Sequence, residues 1–364
     1  MGKVMDMNEA FTTLAGKRIF VTGHTGFKGS WLSLWMSHYG AKVLGISNGY
    51  PSSPSNFKIL NLKKKIQNVK IDIRDHKKLK KKVLSFQPDF IFHLAAEAIV
   101  KKAYKKPKDT WETNTLGTIN ILEILKDIKK KTIVVMITSD KVYKNLEILR
   151  GYNEKDTLGG HDPYSSSKAA ADLAIQSYVK SVFLKSKNIK ISTARAGNVI
   201  GGGDWAEGRI IPDCMKQWFQ NKIVSIRSPN ATRPWQHVLE VLYGYITLAV
   251  KLKTTDKKIN GEAFNFGPKK EKNREVIQVV REIRKKWKKA KWKIKKKRNF
   301  VESKLLQLNS QKAKQRLNWN CKLNLKKTII LTINWYKQYY SKPKSIYDYS
   351  IVQIKQYENL IKKK

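Results

Sequence analysis

From Lys17 onward, short apolar runs of strand length alternate with longer stretches in which apolar residues recur at helical spacing. The runs predict strands at 18–21, 42–46, 69–71, 90–94, 133–138, 189–194 and 263–266. Helices are predicted at 30–39, closed by Gly40, and at 113–128 and 165–184. This alternation implies an α/β chain built on a doubly wound parallel sheet. Two stretches break the rhythm: 201–234, rich in Gly, Pro, Trp and Arg, and everything after 268. They predict a second, smaller α/β lobe at the carboxyl edge of the sheet, where such folds bind ligands. The expected division is 15–200 with 235–268 for the sheet-bearing domain and 201–234 with 269–350 for the lobe. Residues 1–14 and 351–364 are expected to be terminal extensions. No internal repeat is visible.

The chain has 364 residues, 41% of them hydrophobic, enough for one large core or two joined ones. No apolar run approaches the roughly 20 residues that cross a bilayer. The N-terminal segment lacks the apolar stretch and cleavage site of a secretory signal. Two cysteines, Cys214 and Cys321, are too few for a disulfide framework or a zinc cluster. The expectation is a cytoplasmic protein with no metal and no membrane partner. Charge complicates this picture. Lys and Arg number 74 against 28 acids, a net +46, which ordinarily suggests nucleic acid or an anionic membrane. Only 12 of the 74 are arginine, and the lysines are spread along the chain, with one dense run at 284–298 (RKKWKKAKWKIKKKR). Recognition of phosphates and base edges favours the planar fork of arginine. A diffuse lysine excess reads as compositional drift instead, and no nucleic-acid partner is expected.

The turn after the first strand, GHTGFKG, places Gly23, Gly26 and Gly29 at a G-x-x-G-x-x-G spacing. Glycine there permits a tight turn and close backbone approach to a pyrophosphate, which sits at the positive end of the following helix. Asp72 and Ile73 follow the third strand, where a carboxylate can accept an adenine amino group. Leu94, Ala95 and Ala96 end the fourth strand with residues small enough to let a ring approach. The second strand runs into Ser47-Asn48 rather than an acid that would bind a ribose 2′-hydroxyl. That position therefore leaves NAD and NADP both open.

Tyr164 and Lys168 (YSSSK) lie one helical turn apart on one face. A tyrosine near pKa 10 is a poor base at neutral pH, and lowering it by three units requires about 4 kcal/mol of phenolate stabilisation. A lysine one turn away and a nicotinamide cation are the available sources. With the glycine turn and the fifth strand upstream, these features strongly resemble the extended short-chain dehydrogenase/reductase family. Within it, a hydroxyl, an acid and a third polar residue after the fifth strand mark the sugar-nucleotide 4,6-dehydratases, and here that triplet reads Ser139-Asp140-Lys141. The blocks at 22–35, 158–168, 194–206, 231–240 and 262–268 are similar to those of the dehydratases that act on CDP-glucose.

The resemblance implies NAD as cofactor and CDP-glucose as substrate. It also implies a NAD-binding Rossmann domain beside a nucleotide-sugar lobe, and a homodimer or homotetramer paired through the helices at 113–128 and 165–184. The implied cofactor residues are Gly23, Thr25, Gly26, Phe27, Lys28, Gly29, Asp72, Ile73, Leu94, Ala95, Ala96, Asn114, Thr138, Tyr164 and Lys168. The implied catalytic set is Ser139, Asp140, Lys141, Tyr164 and Lys168. In it Tyr164 takes the sugar 4-hydroxyl proton, Lys141 deprotonates C5 and Asp140 protonates the leaving 6-hydroxyl. Asn198, Arg209 and Arg233 are implied to hold the diphosphate. Arg195 and Arg227 suit a pyrophosphate or a structural ion pair equally. The product would serve 6-deoxy and 3,6-dideoxy sugars of surface polysaccharide. Glu97 departs from an expected glutamine, Glu207-Gly208 precede Arg209 where the family has a polar residue and Asp, and many relatives carry glutamate at position 141. Asp140 needs a raised pKa to act as an acid, which positive neighbours oppose. Two other readings stand beside this one: an epimerase of the same fold, and a basic nucleic-acid-binding protein on an inactive scaffold.

Overall fold

The computed structural model describes residues 7–254, 259–268, 273–295 and 305–362. Its centre is a seven-stranded sheet made of β1 (Arg18–Thr22), β2 (Lys42–Ser47), β3 (Gln67–Lys70), β4 (Phe90–His93), β5 (Thr132–Ile137), β6 (Ile189–Ala196) and β7 (Ala263–Phe266). All the pairings are parallel, and the spatial order is β7-β6-β5-β4-β1-β2-β3. The order reverses between β1 and β4, so a crevice opens beyond the carboxyl ends of these two strands. Each of the seven predicted runs became a strand, every end within two residues of its prediction.

Strand alternation divides the core between the two faces. Ile19, Val21, Phe92 and Val135 pack with the helices on one side. Phe20, Leu44, Ile91 and Val134 pack on the other, against Ile121, Leu125 and Ile175. The first helix after the glycine turn, Phe27–His38, starts three residues earlier than its pattern predicts. Gly40 closes it at φ +79°, a left-handed position that glycine adopts without strain. The predicted helix at 165–184 is observed as Pro163–Tyr178 followed by a π-helical turn. Helix Val238–Thr254 is buried on nearly every side, as an all-round apolar helix requires.

The two stretches that broke the rhythm pair with each other. Val224–Ile226 runs parallel to Trp292–Ile294, and Thr232–Pro234 runs antiparallel to Asn273–Glu275. The expected terminal extensions need correction where they are described. Ala10, Phe11 and Leu14 are buried, and so are Ile354, Tyr357 and Ile361 of the final helix, Ile346–Lys362. The Glu358 carboxylate accepts from Trp35 Nε1 at 2.7 Å and from the Tyr39 hydroxyl, while Tyr357 donates to Glu240 Oε2 at 2.8 Å. Phe11 stacks on Tyr39. Both ends of the described chain therefore close over the Phe27–His38 helix. Among the described residues no helix is long and apolar enough to cross a membrane.

Candidate active site

The glycine turn is packed to the limit that hydrogen side chains allow. Gly23 has φ +72°, and a Cβ there would lie 2.8 Å from the backbone of Ala95. A Cβ on Gly29 would lie 2.2 Å from the Gly23 carbonyl oxygen. Gly26 donates its N–H to that same carbonyl at 3.1 Å and stands just before the helix, where the first-turn N–H groups have no partner within the helix. Thr25 Oγ1 donates to the Gly49 carbonyl at 2.6 Å, tying the turn to the segment after β2. Leu94 to Ala96 were expected to be small for the sake of a ring. The structure adds that Ala95 is small because the Gly23 turn itself rests on it.

Around this turn the other expected cofactor residues take different positions. Asp72 is partly exposed and accepts from Arg74 at 2.9 Å and from Asn48 Nδ2 at 3.3 Å, while Ile73 is buried beneath Gly117. Asn114 is buried, accepts the Glu97 N–H at 2.8 Å and donates to Ser167 Oγ at 3.0 Å. It thereby fixes the loop after β4 to the helix that carries Tyr164. Thr138 donates its hydroxyl to Asp172 Oδ2 at 2.9 Å, so its side chain serves the interior. Glu97 accepts the N–H of Ile99 at 2.9 Å, the role of a turn cap.

Catalytic candidates gather at the carboxyl ends of β5 and β6. Asp162 caps the Pro163–Tyr178 helix by accepting the N–H groups of Tyr164 and Ser165, each at 3.0 Å. That cap fixes the first turn, and Tyr164 and Lys168 follow on one face. Lys168 is buried and donates to the Ile137 carbonyl at 3.2 Å. Burial lowers its ammonium to about 8, against the opposing pull of Asp172. Tyr164 is pushed up to about 12 by burial, with the Ser139 hydrogen bond acting in the other direction. Ser139 donates to Asp140 Oδ1 at 2.9 Å and accepts the Lys141 N–H at 3.2 Å, capping a single 3₁₀ turn. Gly197 leaves room for Asp140, since a Cβ there would lie 2.7 Å from Oδ2. Burial raises the Asp140 pKa and outweighs Lys141, Ser139, Lys28 and Arg233, which all act to lower it. The conflict between an acidic role and positive neighbours resolves in favour of a raised carboxyl.

Lys28 turns from the glycine turn toward this cluster. Burial lowers it to about 8, with the Arg209 charge adding to the effect and Asp140 opposing it. Arg209 pairs with Asp204 at 3.0 Å. Arg233, on the strand Thr232–Pro234, lies near enough to influence Asp140. Asn198 is exposed just beyond β6. Arg195 is the structural ion pair of the two readings left open. It meets Asp172 through Nε at 2.9 Å and Nη2 at 2.7 Å, and donates to the Tyr143 hydroxyl at 2.8 Å. Arg227 is exposed and donates to the Gly208 carbonyl at 3.0 Å. Sequence reasoning missed Asp204 and Asp172. Asp172 had a signal, because it continues the Tyr164–Lys168 spacing by four more residues. Asp204 had none beyond standing five residues before Arg209.

Comparison with known proteins agrees with this geometry. A CDP-glucose 4,6-dehydratase of Salmonella typhimurium is 42% identical over 327 residues, 88% of this chain and 91% of that protein. Among solved structures, an epimerase from Methanothermobacter thermautotrophicus superposes with a TM-score of 0.78 at 22% identity, covering 93% of this chain and 97% of that one. A dTDP-glucose 4,6-dehydratase from Bacillus anthracis, solved with NAD, superposes with a TM-score of 0.73 at 23% identity, covering 91% and 99%. The model of the GDP-mannose 4,6 dehydratase family matches residues 20–332. This chain belongs to that dehydratase family.

Proposed function

We propose that this chain converts CDP-glucose to CDP-4-dehydro-6-deoxyglucose and water, with NAD held at the glycine turn. The reading is carried by one observation, the buried Ser139–Asp140 pair beside Tyr164 and Lys168. An oxidation at C4 alone needs the tyrosine and lysine; a raised, buried carboxyl is what the expulsion of a hydroxyl adds. The identity with the Salmonella enzyme supports CDP-glucose as substrate. The residues fit NAD, because Gly23 and Gly29 leave a backbone cradle that a Cβ would fill at the start of a helix. Held by the backbone at Gly23, Gly26 and Gly29, NAD would supply a reversible hydride acceptor for C4 and C6 and a positive charge beside Tyr164.

The chain's own residues handle the protons. Tyr164 takes the proton of the 4-hydroxyl, helped by Ser139 and the Lys168 ammonium. Once C4 is a ketone, the C5 proton is acidic, and Lys141 removes it. Asp140 gives its proton to the C6 hydroxyl, which leaves as water; as hydride reaches C6 the Lys141 ammonium returns its proton to C5, and the proton held by Tyr164 passes back through Ser139 to Asp140. Arg209 and Arg233 bind the diphosphate, with Asn198 at the same rim. The lobe containing 201–234 and 269–350 carries the nucleotide end, and the domain containing 15–200 and 235–268 carries the cofactor. Pairing into a homodimer or homotetramer is supported by Leu116 and Leu173, 54% and 53% exposed on the two helical stretches expected to pair. The enzyme acts in the cytoplasm on sugars destined for surface polysaccharide, without a nucleic-acid partner.

The test is a mass-spectrometric assay of purified protein with NAD and CDP-glucose, beside the UDP, dTDP and GDP sugars. A product lighter by one water from CDP-glucose alone is expected. An isomer of unchanged mass assigns an epimerase and removes the roles given to Asp140 and Lys141.

A further inference from the structure

The densest basic run of the chain has no part in the site described above. Its described portion, 284–295, contains no acidic residue, and interleaves lysines with Trp287, Trp292 and Ile294; 296–298 lie outside the described residues. The run begins at the end of helix Val276–Arg284, turns, and becomes the strand Trp292–Ile294. Arg281, Arg284, Lys285, Lys288 and Trp292 line an open cavity of about 520 Å³. The Arg284 guanidinium lies 5.5 Å from the centre of the Trp292 ring, so a cation and an indole are presented together. The acid beside them is Glu282, paired with Lys285 at 2.6 Å.

Apolar side chains stand exposed at the margin of this basic corner. Ile294 is 57% exposed and lies two residues from Trp292, on the same face of its strand. Phe219 is 50% exposed, and its inner face stacks on Tyr340 at 3.7 Å; Trp287 packs edge-on against that same Tyr340. Ile223, 55% exposed, leads into the strand that pairs with Trp292. What distinguishes these three is that they border one cationic cavity.

We infer that this corner of the smaller lobe docks the protein on an anionic lipid bilayer, lipid phosphates entering the cationic cavity and Ile294, Ile223 and Phe219 entering the headgroup boundary. Clustered lysines are attracted to an anionic leaflet, while tryptophan and aliphatic side chains favour the interface. Nucleic acid fits less well, because the exposed aliphatic residues would gain nothing from a phosphate backbone and the run is mostly lysine. The inference departs from the expectation of no membrane partner. It does not depend on the proposed reaction.

The full chain is sedimented with vesicles of phosphatidylglycerol and phosphatidylcholine, and with vesicles of phosphatidylcholine alone. Binding to the first and not the second is expected. The double variant K285Q/K288Q should weaken that binding roughly tenfold, and I294S should weaken what persists in salt that screens the charges. A control double variant at Lys105 and Lys108, which are exposed and do not line the cavity, should leave binding unchanged, and all variants should elute as the parent does in gel filtration. Three results overturn the inference: no binding to the anionic vesicles, equal weakening by the control variant, or salt-steep binding to duplex DNA tighter than to vesicles.

Discussion

Asp140 and Lys141 are adjacent in sequence yet are assigned opposite proton transfers, and substitution should separate them. Asp140→Asn should retain solvent exchange of the C5 hydrogen while water loss falls by about 10²–10⁴-fold. Lys141→Met should lose both, and deuterium incorporation read by mass spectrometry distinguishes the two. The Lys168 ammonium, lowered to about 8 by burial, implies an alkaline limb in kcat/KM near pH 8. Above that pH the charge that helps Tyr164 ionise is gone. The same shift has a stability sign. Between about 8 and the ordinary 10.5 the folded state binds fewer protons than the unfolded chain, so Lys168 and Lys28 favour folding increasingly as pH rises across that window. Denaturant midpoints measured at both ends of the window test this sign. The Tyr164–Lys168 pair was legible because one helical turn sets both on one face; Ser139 and Asp140 were marked only by the resemblance, and the fold brings them beside Tyr164. Thr138 and Arg195 were not legible, since both answer to Asp172, which the chain brings beside them only after folding.

At the scale of elements, the Gly23–Gly29 turn and its helix behave as one part. Gly29→Ala would drive a Cβ into the Gly23 carbonyl, so dinucleotide binding should be lost and stability should fall by about 1–3 kcal/mol. Fluorescence titration and urea denaturation report the two effects separately. Glu358→Ala removes the acceptor of Trp35 Nε1, which is buried, and should cost about 1–3 kcal/mol by leaving that donor unsatisfied. The seven strands could be read from the chain because buried parallel strands are short continuous apolar runs with glycine-rich turns between them. The final helix could not be read as core. Its apolar residues match a surface helix equally well, and its partners on the Phe27–His38 helix are more than 300 residues away.

At the scale of the whole molecule, a net charge of +46 surrounds a site that is itself cationic, with Lys28, Lys168, Arg209 and Arg233 facing Asp140 and Asp204. A nucleotide sugar carries negative charge, so association should be steered. Raising ionic strength from about 0.01 M to 0.5 M, which shortens the screening length from roughly 30 Å to a few ångström, should lower kcat/KM several-fold with little change in kcat. Steady-state rates across a salt series check this. The closure of both described ends over one helix has a further consequence, in the order of assembly. The helix that begins at the glycine turn rests on Phe11 from one end of the chain and on Glu358 from the other, and the second contact, across more than 300 residues, carries by far the larger loop-closure cost. An intermediate with a finished sheet would still lack a firm seat for its nucleotide. Affinity for the dinucleotide thus becomes a late signal of maturation, withheld until the most distant parts of the chain have met.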